Sequence, residues 1–339
     1  METILLKAEK MNISAAEAVL SEGNVVALPT ETVYGLAANG LNPSAVRKIF
    51  EAKGRPQDNP LILHICDTEM LADLAEYIPP LALRLAEDFW PGPLTMIFPK
   101  KAVVPSETSG GLDTVAVRMP KNDFTLALIK KCGFPLAAPS ANTSGLPSPT
   151  SAQHVFYDMK GRIPLIIDGG ECKYGVESTV ISFDMEDRLR ILRPGAVTAE
   201  MLREYADVII DDGVLMKIEA DEKVLSPGMK YKHYSPRAQV YILDGSSEQI
   251  EEFLSGRDTG CKTAFLGEGN ERLNEHIIRI PYGATSEEQA ERLFSGLRYC
   301  DELDCNEVYV RMPDKSGIGL AVYNRLLRSA AFRIIDLKV

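Results

Sequence analysis

The sequence predicts an α/β protein in which a twisted mixed sheet covered by helices is followed by a smaller, doubly wound domain. Short apolar runs alternate with segments of helical periodicity, the pattern of a sheet with helices packed on it. After residue 211 the alternation lapses into a polar stretch, and near residue 238 it resumes. We therefore expect a first domain over 1–211, a linker over 212–237 and a second domain over 238–339.

Each predicted strand is a short apolar run bounded by turn residues. In the first domain the strands are expected at residues 25–28, 61–65, 94–98, 114–119, 135–138, 163–167, 178–183 and 189–192. In the second domain they are expected at residues 240–243, 263–266, 276–280, 307–311 and 333–337, with helices near Ser247, Ser286 and Gly317.

Capping patterns predict where helices of the first domain begin. Ser14 and Glu17 have the spacing of a capping box for a helix from Ala15, and Thr150 is suited to cap a later helix. The pattern is strongest for 43–53, where Asn42 is a good N-cap and Pro43 suits the first helical position. Gly54 fits the position just past the helix end.

The predicted helix 43–53 places two cationic side chains near its carboxyl end. Lys53 lies in its last turn and Arg55 just outside it, before the stiff segment 56–60. They either complement the negative helix end, or they face a phosphate or carboxylate. His64, near the end of the next strand, is more often a satisfied core residue than a catalyst.

A second polar group follows the predicted strand 135–138. Ser140, Asn142 and Ser148 lie in a loop rich in Ser, Pro and Gly, where hydroxyls either cap locally or bind phosphate oxygens. Three further candidates stand at predicted strand ends, each explicable by an ordinary structural role when taken alone: Arg118, Ser178 and Arg193, the last expected to close the domain's final hairpin.

Composition limits the class of protein. The chain of 339 residues carries a net charge of −11, which disfavours electrostatic binding to nucleic acid or to an anionic membrane. No apolar run approaches the roughly 18 residues of a membrane span, and the start lacks a secretory pattern. The six cysteines form no Cys-x-x-Cys pair, which favours reduced thiols in the cytoplasm over a zinc site. The pattern Gly317-Ile-Gly lacks a third glycine, so we interpret it as helix packing.

Several motifs together resemble one family. They are Leu28-Pro-Thr-Glu-Thr-Val-Tyr-Gly-Leu36, the pair Lys53-Gly-Arg55 and Ser140-Ala-Asn142, Glu177-Ser-Thr-Val180, Arg193-Pro-Gly195 and the segment 226–236. The chain resembles the long form of the threonylcarbamoyl-AMP synthase family. That resemblance implies a YrdC-like catalytic domain, a linker that covers the active site, and a Rossmann-like carboxyl-terminal domain.

The resemblance also implies an activity and a set of site residues. The enzyme would join L-threonine, bicarbonate and ATP into threonylcarbamoyl-AMP, which a tRNA threonylcarbamoyl transferase then uses. Lys53, Arg55, Ser140 and Asn142 would form the catalytic set. ATP would be held by Arg55, Asn59, Thr114, Ser140, Ser148, Arg193 and Tyr234. L-threonine would be held by Thr32, His64, Arg118, Ala138 and Ser178. Mg²⁺ is expected on the phosphates, with no protein ligand named.

Two other functions remain open from the sequence. One is a carbamoyltransferase of the hydrogenase-maturation type that uses carbamoyl phosphate, although its zinc-finger and acylphosphatase-like segments are missing from this sequence. The other is a module that binds double-stranded RNA on a concave basic surface, which the overall acidity disfavours.

Overall fold

The computed structural model describes residues 1–185, 188–216, 234–257, 260–269 and 271–338. These residues form two compact units. The first contains residues 1–144 and the described residues from 148 to 216, and the second contains residues 145–147 and those from 234 onward. Most of the predicted linker, including Lys230 and Lys232, lies outside the described residues. No described helix is long and apolar enough to cross a membrane.

The described residues of the first unit form strands, helices and two short 3-10 turns. Its strands are β1 (Ile4–Lys7), β2 (Val26–Leu28), β3 (Gly35–Asn39), β4 (Ile62–His64), β5 (Leu94–Pro99), β6 (Thr114–Arg118), β7 (Leu136–Ala137), β8 (Leu165–Asp168), β9 (Thr179–Met185), β10 (Arg188–Arg193) and β11 (Asp207–Ile210). Its helices are α1 (Ile13–Ser21), α2 (Pro43–Lys53), α3 (Thr68–Leu74), α4 (Pro80–Phe89), α5 (Ser106–Ser109), α6 (Asp123–Cys132), α7 (Ala152–Met159) and α8 (Ala199–Leu202). The 3-10 turns span Lys10–Asn12 and Asp212–Val214.

Among the described residues the strands form one mixed sheet in the order β1-β8-β2-β3-β7-β4-β6-β5-β9-β10-β11. The sheet contains both kinds of pair: β2–β3, β3–β7, β7–β4, β6–β5 and β9–β10 are antiparallel, and the other neighbouring pairs are parallel. β4 and β6 are parallel, with His64 paired to Arg118 at their carboxyl ends. The strands are therefore connected by both turns and helical crossovers.

Among the described residues of this unit, apolar side chains from the sheet pack against helices in two clusters. The larger cluster includes Phe50 of α2, Leu85 of α4 and Phe98 of β5, and the smaller includes Leu28 of β2 and Leu128 of α6. The strands β2 and β7 consist only of apolar residues, as expected of strands that helices bury. Polar residues lie at strand ends, as His64 and Arg118 do, and in the connecting loops.

The helix predicted over 43–53 is confirmed. The Asn42 side chain accepts hydrogen bonds from the backbone of Ser44 and Ala45, and Gly54 has a left-handed φ of 62°. The capping box predicted at Ser14 and Glu17 is wrong, because α1 already begins at Ile13. Thr150 is not the cap of α7 either: Ser151 fills that position and accepts from the His154 backbone.

Three strands were not predicted. β1 lies at the sheet edge with exposed Ile4 and Leu5, so it lacks a buried pattern. β3 consists of Gly-Leu-Ala-Ala-Asn, which has low intrinsic β propensity, and it forms because β2 and β7 flank it. β11 pairs in parallel beyond β10, so Arg193 does not close a final hairpin. It lies instead at the open end of the β9–β10 pair.

The second unit is a parallel sheet with helices. Its elements are β12 (Gln239–Asp244), α9 (Ser247–Ser255), β13 (Thr263–Gly267), β14 (Ile277–Pro281), α10 (Ser286–Glu302), β15 (Glu307–Arg311), α11 (Gly319–Ser329) and β16 (Ile334–Asp336). The strand order is β14-β13-β15-β12-β16, and each pair is parallel. A Cβ on Gly319 would lie 2.6 Å from the Asp314 carbonyl oxygen and 2.9 Å from Ser286 Oγ. This glycine therefore serves close packing, as interpreted from the sequence.

Candidate functional site

Lys53 connects the end of α2 to the polar loop after β7. Its side chain is 2% exposed, and its ammonium group donates to the Ser140 carbonyl, to the Asn142 carbonyl at 2.7 Å and to Asn142 Oδ1 at 3.3 Å. The Lys53 carbonyl in turn accepts from the backbone of Ser144 at 2.9 Å. The two predicted motifs are thus joined by side-chain and backbone bonds.

Hydroxyl and carboxylate groups order the rest of this loop. Ser140 Oγ donates to Asn142 Oδ1 at 2.5 Å, and the Asn142 amide donates to the Thr143 carbonyl at 2.8 Å. Ser148 is fully buried, and its hydroxyl donates to Glu177 Oε1 at 2.6 Å. Hydrogen bonds within the site therefore fix the side chains of Ser140, Asn142 and Ser148. None of these three side chains caps α7.

Arg118 is the centre of a second polar group. It is 4% exposed; its Nε donates to the Gly92 carbonyl at 3.2 Å and its Nη1 to Thr32 Oγ1 at 2.9 Å. Its Nη2 lies 2.7 Å from Glu31 Oε2, as an ion pair rather than an aligned hydrogen bond. A guanidinium held from several sides in this way presents its remaining donors in a fixed direction.

A third group joins β5, β9 and β10. Ser178 is fully buried, its hydroxyl lies 2.8 Å from Thr95 Oγ1, and Arg193 donates to the Ser178 carbonyl at 3.0 Å and hydroxyl at 3.1 Å. Gly195 lies against this group: an added Cβ would lie 2.4 Å from the Thr179 nitrogen and 2.7 Å from the Glu177 carbonyl oxygen.

Gly195→Ala should therefore displace the backbone under Ser178. We expect it to lower the free energy of unfolding by about 1–3 kcal/mol, as overpacking does, and to lower activity as well. Urea unfolding measures the first effect. Gly256→Ala is the matched control, since its Cβ would meet only the Glu252 carbonyl at an ordinary 3.5 Å. Equal stability of the two variants would contradict the packing argument.

Hydrogen bonds of the backbone and of side chains bring the three groups together. The loop 29–34 binds the loop after β7, since Ala141 donates to the Tyr34 carbonyl at 2.8 Å. It also binds the loop before β9, since Tyr174 donates to the Glu31 carbonyl at 2.9 Å. The segment 92–95 joins the other two groups, because Gly92 accepts from Arg118 and Thr95 contacts Ser178. The polar groups are thus parts of one connected set of loops.

His64 is buried beside Arg118 and is neutral. Burial lowers the pKa of its imidazole, and the Arg118 charge lowers it further, to about 3. Nδ1 has no hydrogen-bond partner among the described residues. A histidine with this pKa holds no proton at neutral pH, so it can contact a substrate without adding charge.

The His64 pKa makes stability depend on pH. The ordinary value is 6.5, so as the pH falls from 6.5 towards 3 the unfolded chain takes up a proton that the folded chain does not. Above pH 6.5 the neutral His64 adds its full contribution to the free energy of unfolding. At pH 5 about 2 kcal/mol of that contribution is lost. His64→Gln should therefore lose less stability between pH 7.5 and pH 5 than wild type in urea unfolding. Identical losses would contradict the assignment.

The other residues predicted for the site in this unit are Thr114, Asn59, Ala138 and Arg55. Thr114 is at the opposite end of β6 from Arg118 and lines a cavity of about 550 Å³. Both amide atoms of Asn59 are buried without a hydrogen-bond partner among the described residues. Ala138 donates its backbone N–H to Ile62 at 3.1 Å, and Arg55 follows Gly54 directly. Their roles stay predictions.

Tyr234 belongs to the second unit. Its ring stacks on Phe294 with centroids 5.2 Å apart, and its carbonyl accepts from Ser329 Oγ at 2.7 Å. Its predicted contact with ATP stays a prediction.

Four residues were missed as contributors to the site. Glu31 and Glu177 stand inside the recognised motifs, next to residues that were named, but each becomes a partner only through a distant contact, to Arg118 and Ser148. Thr95 and Gly92 carry no sequence signal at all. They are found only because β5 lies beside both β6 and β9.

Comparisons with known proteins agree with this architecture. A family profile described as "Telomere recombination" matches residues 18–195, and one described as "Threonylcarbamoyl-AMP synthase, C-terminal domain" matches residues 197–331. A threonylcarbamoyl-AMP synthase from Pyrococcus abyssi is 46% identical and covers 96% of both chains. One from Bacillus subtilis is 44% identical and covers 95% of this chain and 94% of its own.

A solved structure is similar over nearly the whole chain. It is the crystal structure of P. abyssi Sua5 complexed with L-threonine, with a TM-score of 0.92 and 45% identity over 98% of this chain and 99% of that one. The fold and these matches define a YrdC-like α/β protein that carries a second α/β domain, which confirms the predicted fold class. More particularly, the chain belongs to the threonylcarbamoyl-AMP synthase family.

Proposed function

We propose that this protein converts L-threonine, bicarbonate and ATP into threonylcarbamoyl-AMP and pyrophosphate. The observation that carries the proposal is the similarity over 98% of the chain to a structure complexed with L-threonine. The buried and connected groups around Lys53, Arg118 and Ser178 support it, because two anions have to be brought together and held. The product supplies the threonylcarbamoyl modification of tRNA, through a tRNA threonylcarbamoyl transferase.

The reaction needs two bond-forming steps. The α-ammonium group of threonine first loses a proton to solvent, and the resulting amine attacks the carbon of bicarbonate, which gives an N-carboxylate and water. An oxygen of that carboxylate then attacks the α-phosphorus of ATP, and the bond to pyrophosphate breaks. Both reactants of the second step are anions, so positioned cations and N–H donors are the main requirement, each contributing about 10²–10³ in rate.

Each polar group has a role in this scheme. Arg118 binds the threonine carboxylate, with Thr32, His64, Ala138 and Ser178 around the substrate. Lys53 holds the loop of Ser140 and Asn142 against the end of α2, as its three bonds to that loop indicate. ATP lies along that loop, contacted by the residues proposed for it in this unit: Arg55, Asn59, Thr114, Ser140, Ser148 and Arg193.

Magnesium enters with the phosphates of ATP. The described residues contain no cluster of three or more His, Cys, Asp or Glu side chains that could hold a metal. Mg²⁺ commonly keeps several waters and binds mainly through substrate phosphates, so a protein cage is not required. We assign no step of the reaction to the ion.

Mass spectrometry of the products tests the function. The full chain is incubated with ATP, Mg²⁺, L-threonine and ¹³C-bicarbonate, and threonylcarbamoyl-AMP carrying the label is expected. Omission of threonine or bicarbonate should stop pyrophosphate release. Release that requires carbamoyl phosphate would instead support the carbamoyltransferase function.

A further inference from the structure

Glu31 is a buried carboxylate that has no role in the reaction scheme proposed above. Its side chain is 5% exposed, and it lies on the loop between β2 and β3 that also carries Thr32. Neither of its carboxylate oxygens has a hydrogen-bond partner among the described residues. A buried carboxylate left without donors is costly, and a buried ion pair by itself is a weak source of stability. Its placement therefore calls for a functional reason.

Arg118, the ion-pair partner of Glu31, also has hydrogen-bonding capacity left. Arg118 Nη2 lies 2.7 Å from Glu31 Oε2, yet it too has no aligned hydrogen bond within the described part of the chain. Nε and Nη1 are engaged by Gly92 and Thr32. The structure thus holds one buried positive and one buried negative group side by side, each with bonding capacity left.

A free amino acid matches this arrangement. Its carboxylate and its ammonium group are joined through one carbon, so they form a pair of opposite charges at short spacing. The carboxylate fits Arg118, as the proposed function assigns it. The ammonium group then meets Glu31, the one carboxylate that pairs with Arg118 within the described part of the chain. His64 lies beside Arg118 in the sheet register and is neutral, so it neither repels the ammonium group nor competes for Glu31.

Charge balance points the same way. A zwitterion bound by Arg118 alone would leave a net positive charge in a buried site, with the ammonium group unpaired. With Glu31 ionised, the two protein charges and the two substrate charges sum to zero. A charge-assisted hydrogen bond in such a place is stronger than a neutral one.

We propose that Glu31 binds the α-ammonium group of L-threonine and so selects an α-amino acid over other hydroxylated carboxylic acids. This inference rests on the proposed function for the identity of the substrate. It gives Glu31 direct contact with the nitrogen that attacks bicarbonate once its ammonium proton has been lost to solvent.

The test compares two ligands. The first is L-threonine, and the second is (R)-3-hydroxybutanoate, which is threonine without its α-amino group. Calorimetry on the full-length wild-type chain, without ATP or bicarbonate, should show at least about tenfold tighter binding of L-threonine, as expected of a hydrogen bond to a charged group. Equal affinities would overturn the proposal, and this measurement needs no variant.

The variant Glu31→Gln keeps the shape but removes the charge. It should weaken L-threonine binding by about 10- to 100-fold and leave (R)-3-hydroxybutanoate within about twofold of wild type, measured as competition where its direct binding is weak. Equal weakening of both ligands would show that Glu31 acts only by holding Arg118, and would overturn the proposal. Unchanged threonine binding would overturn it too.

Glu271→Gln is the matched control. Glu271 is also a buried, ion-paired glutamate, bonded to Arg279 in the second unit. We expect the Glu271→Gln variant to bind both ligands with wild-type affinity. In turnover, Glu31→Gln should raise the KM for L-threonine at least about tenfold while the KM for ATP stays within about twofold.

Failure of the function and failure of the inference are distinguishable. If the wild-type chain makes no labelled threonylcarbamoyl-AMP, the proposed function falls. If it makes the product while Glu31→Gln keeps the wild-type KM for threonine, only the role of Glu31 falls.

Discussion

Replacing Arg118 by Met is expected to abolish threonine-dependent pyrophosphate release and to lower the free energy of unfolding by about 3–5 kcal/mol. The loss of activity follows from removal of the group that binds the substrate carboxylate. The loss of stability has another cause: Glu31 lies 2.7 Å from Arg118 with its side chain 5% exposed, so the variant leaves a buried charge without its partner. Urea unfolding and a pyrophosphate assay measure the two effects.

A double variant separates the two causes. Arg118→Met combined with Glu31→Gln removes the buried charge as well, so most of the stability should return while activity stays absent. Arg190→Met is the matched control for stability, because its pair with Asp184 is about a third exposed and should contribute less than about 1 kcal/mol. A double variant no more stable than Arg118→Met would contradict the electrostatic explanation.

Lys53→Met is expected to lower kcat by at least about 10²–10³. The expected loss arises because Lys53 positions the loop that carries Ser140 and Asn142. Three oxygens of Ser140 and Asn142 accept from Lys53, and without it they stay buried with one donor fewer, which frees the loop. Loss of the buried donor should also lower the free energy of unfolding by about 1–3 kcal/mol. Steady-state kinetics and urea unfolding check both values.

Lys48→Met provides the control for Lys53. Lys48 lies on the same helix, and its ammonium group donates to Asn24 Oδ1 at 2.7 Å, away from the loop after β7. It should keep wild-type kcat. If Lys53→Met also turned over at the wild-type rate, Lys53 would have no part in positioning the loop.

Local signals predicted much of the fold. Asn42, Pro43 and Gly54 bound a helix whose ends the structure confirms, since capping bonds and a left-handed glycine are determined within a few residues. The predicted strand 307–311 agrees residue for residue with β15. Local signals failed for β3, whose small residues become a strand only between β2 and β7. They failed also at Ser14, where a suitable sequence pattern forms no cap.

The polar motifs were recognisable, but their contacts were not. Lys53 and Asn142 were both named from the sequence, and neither residue type shows that the ammonium group of one would bind the amide oxygen of the other. Glu31 and Thr32 stand side by side in a motif, yet only the fold makes both of them partners of Arg118. Gly92 takes part through its carbonyl group, which every residue has.

The sequence by itself determined the α/β class, the helix over 43–53, most strands and the resemblance to a synthase family. These features depend on periodicity, caps and motifs, which involve residues close together in the chain. Only the tertiary structure decided that Glu31 and Arg118 form a buried pair and that Lys53 holds the loop of Ser140 and Asn142. The reason is physical. These contacts join residues more than eighty positions apart, and their strength comes from burial and alignment, which exist only after the sheet has assembled.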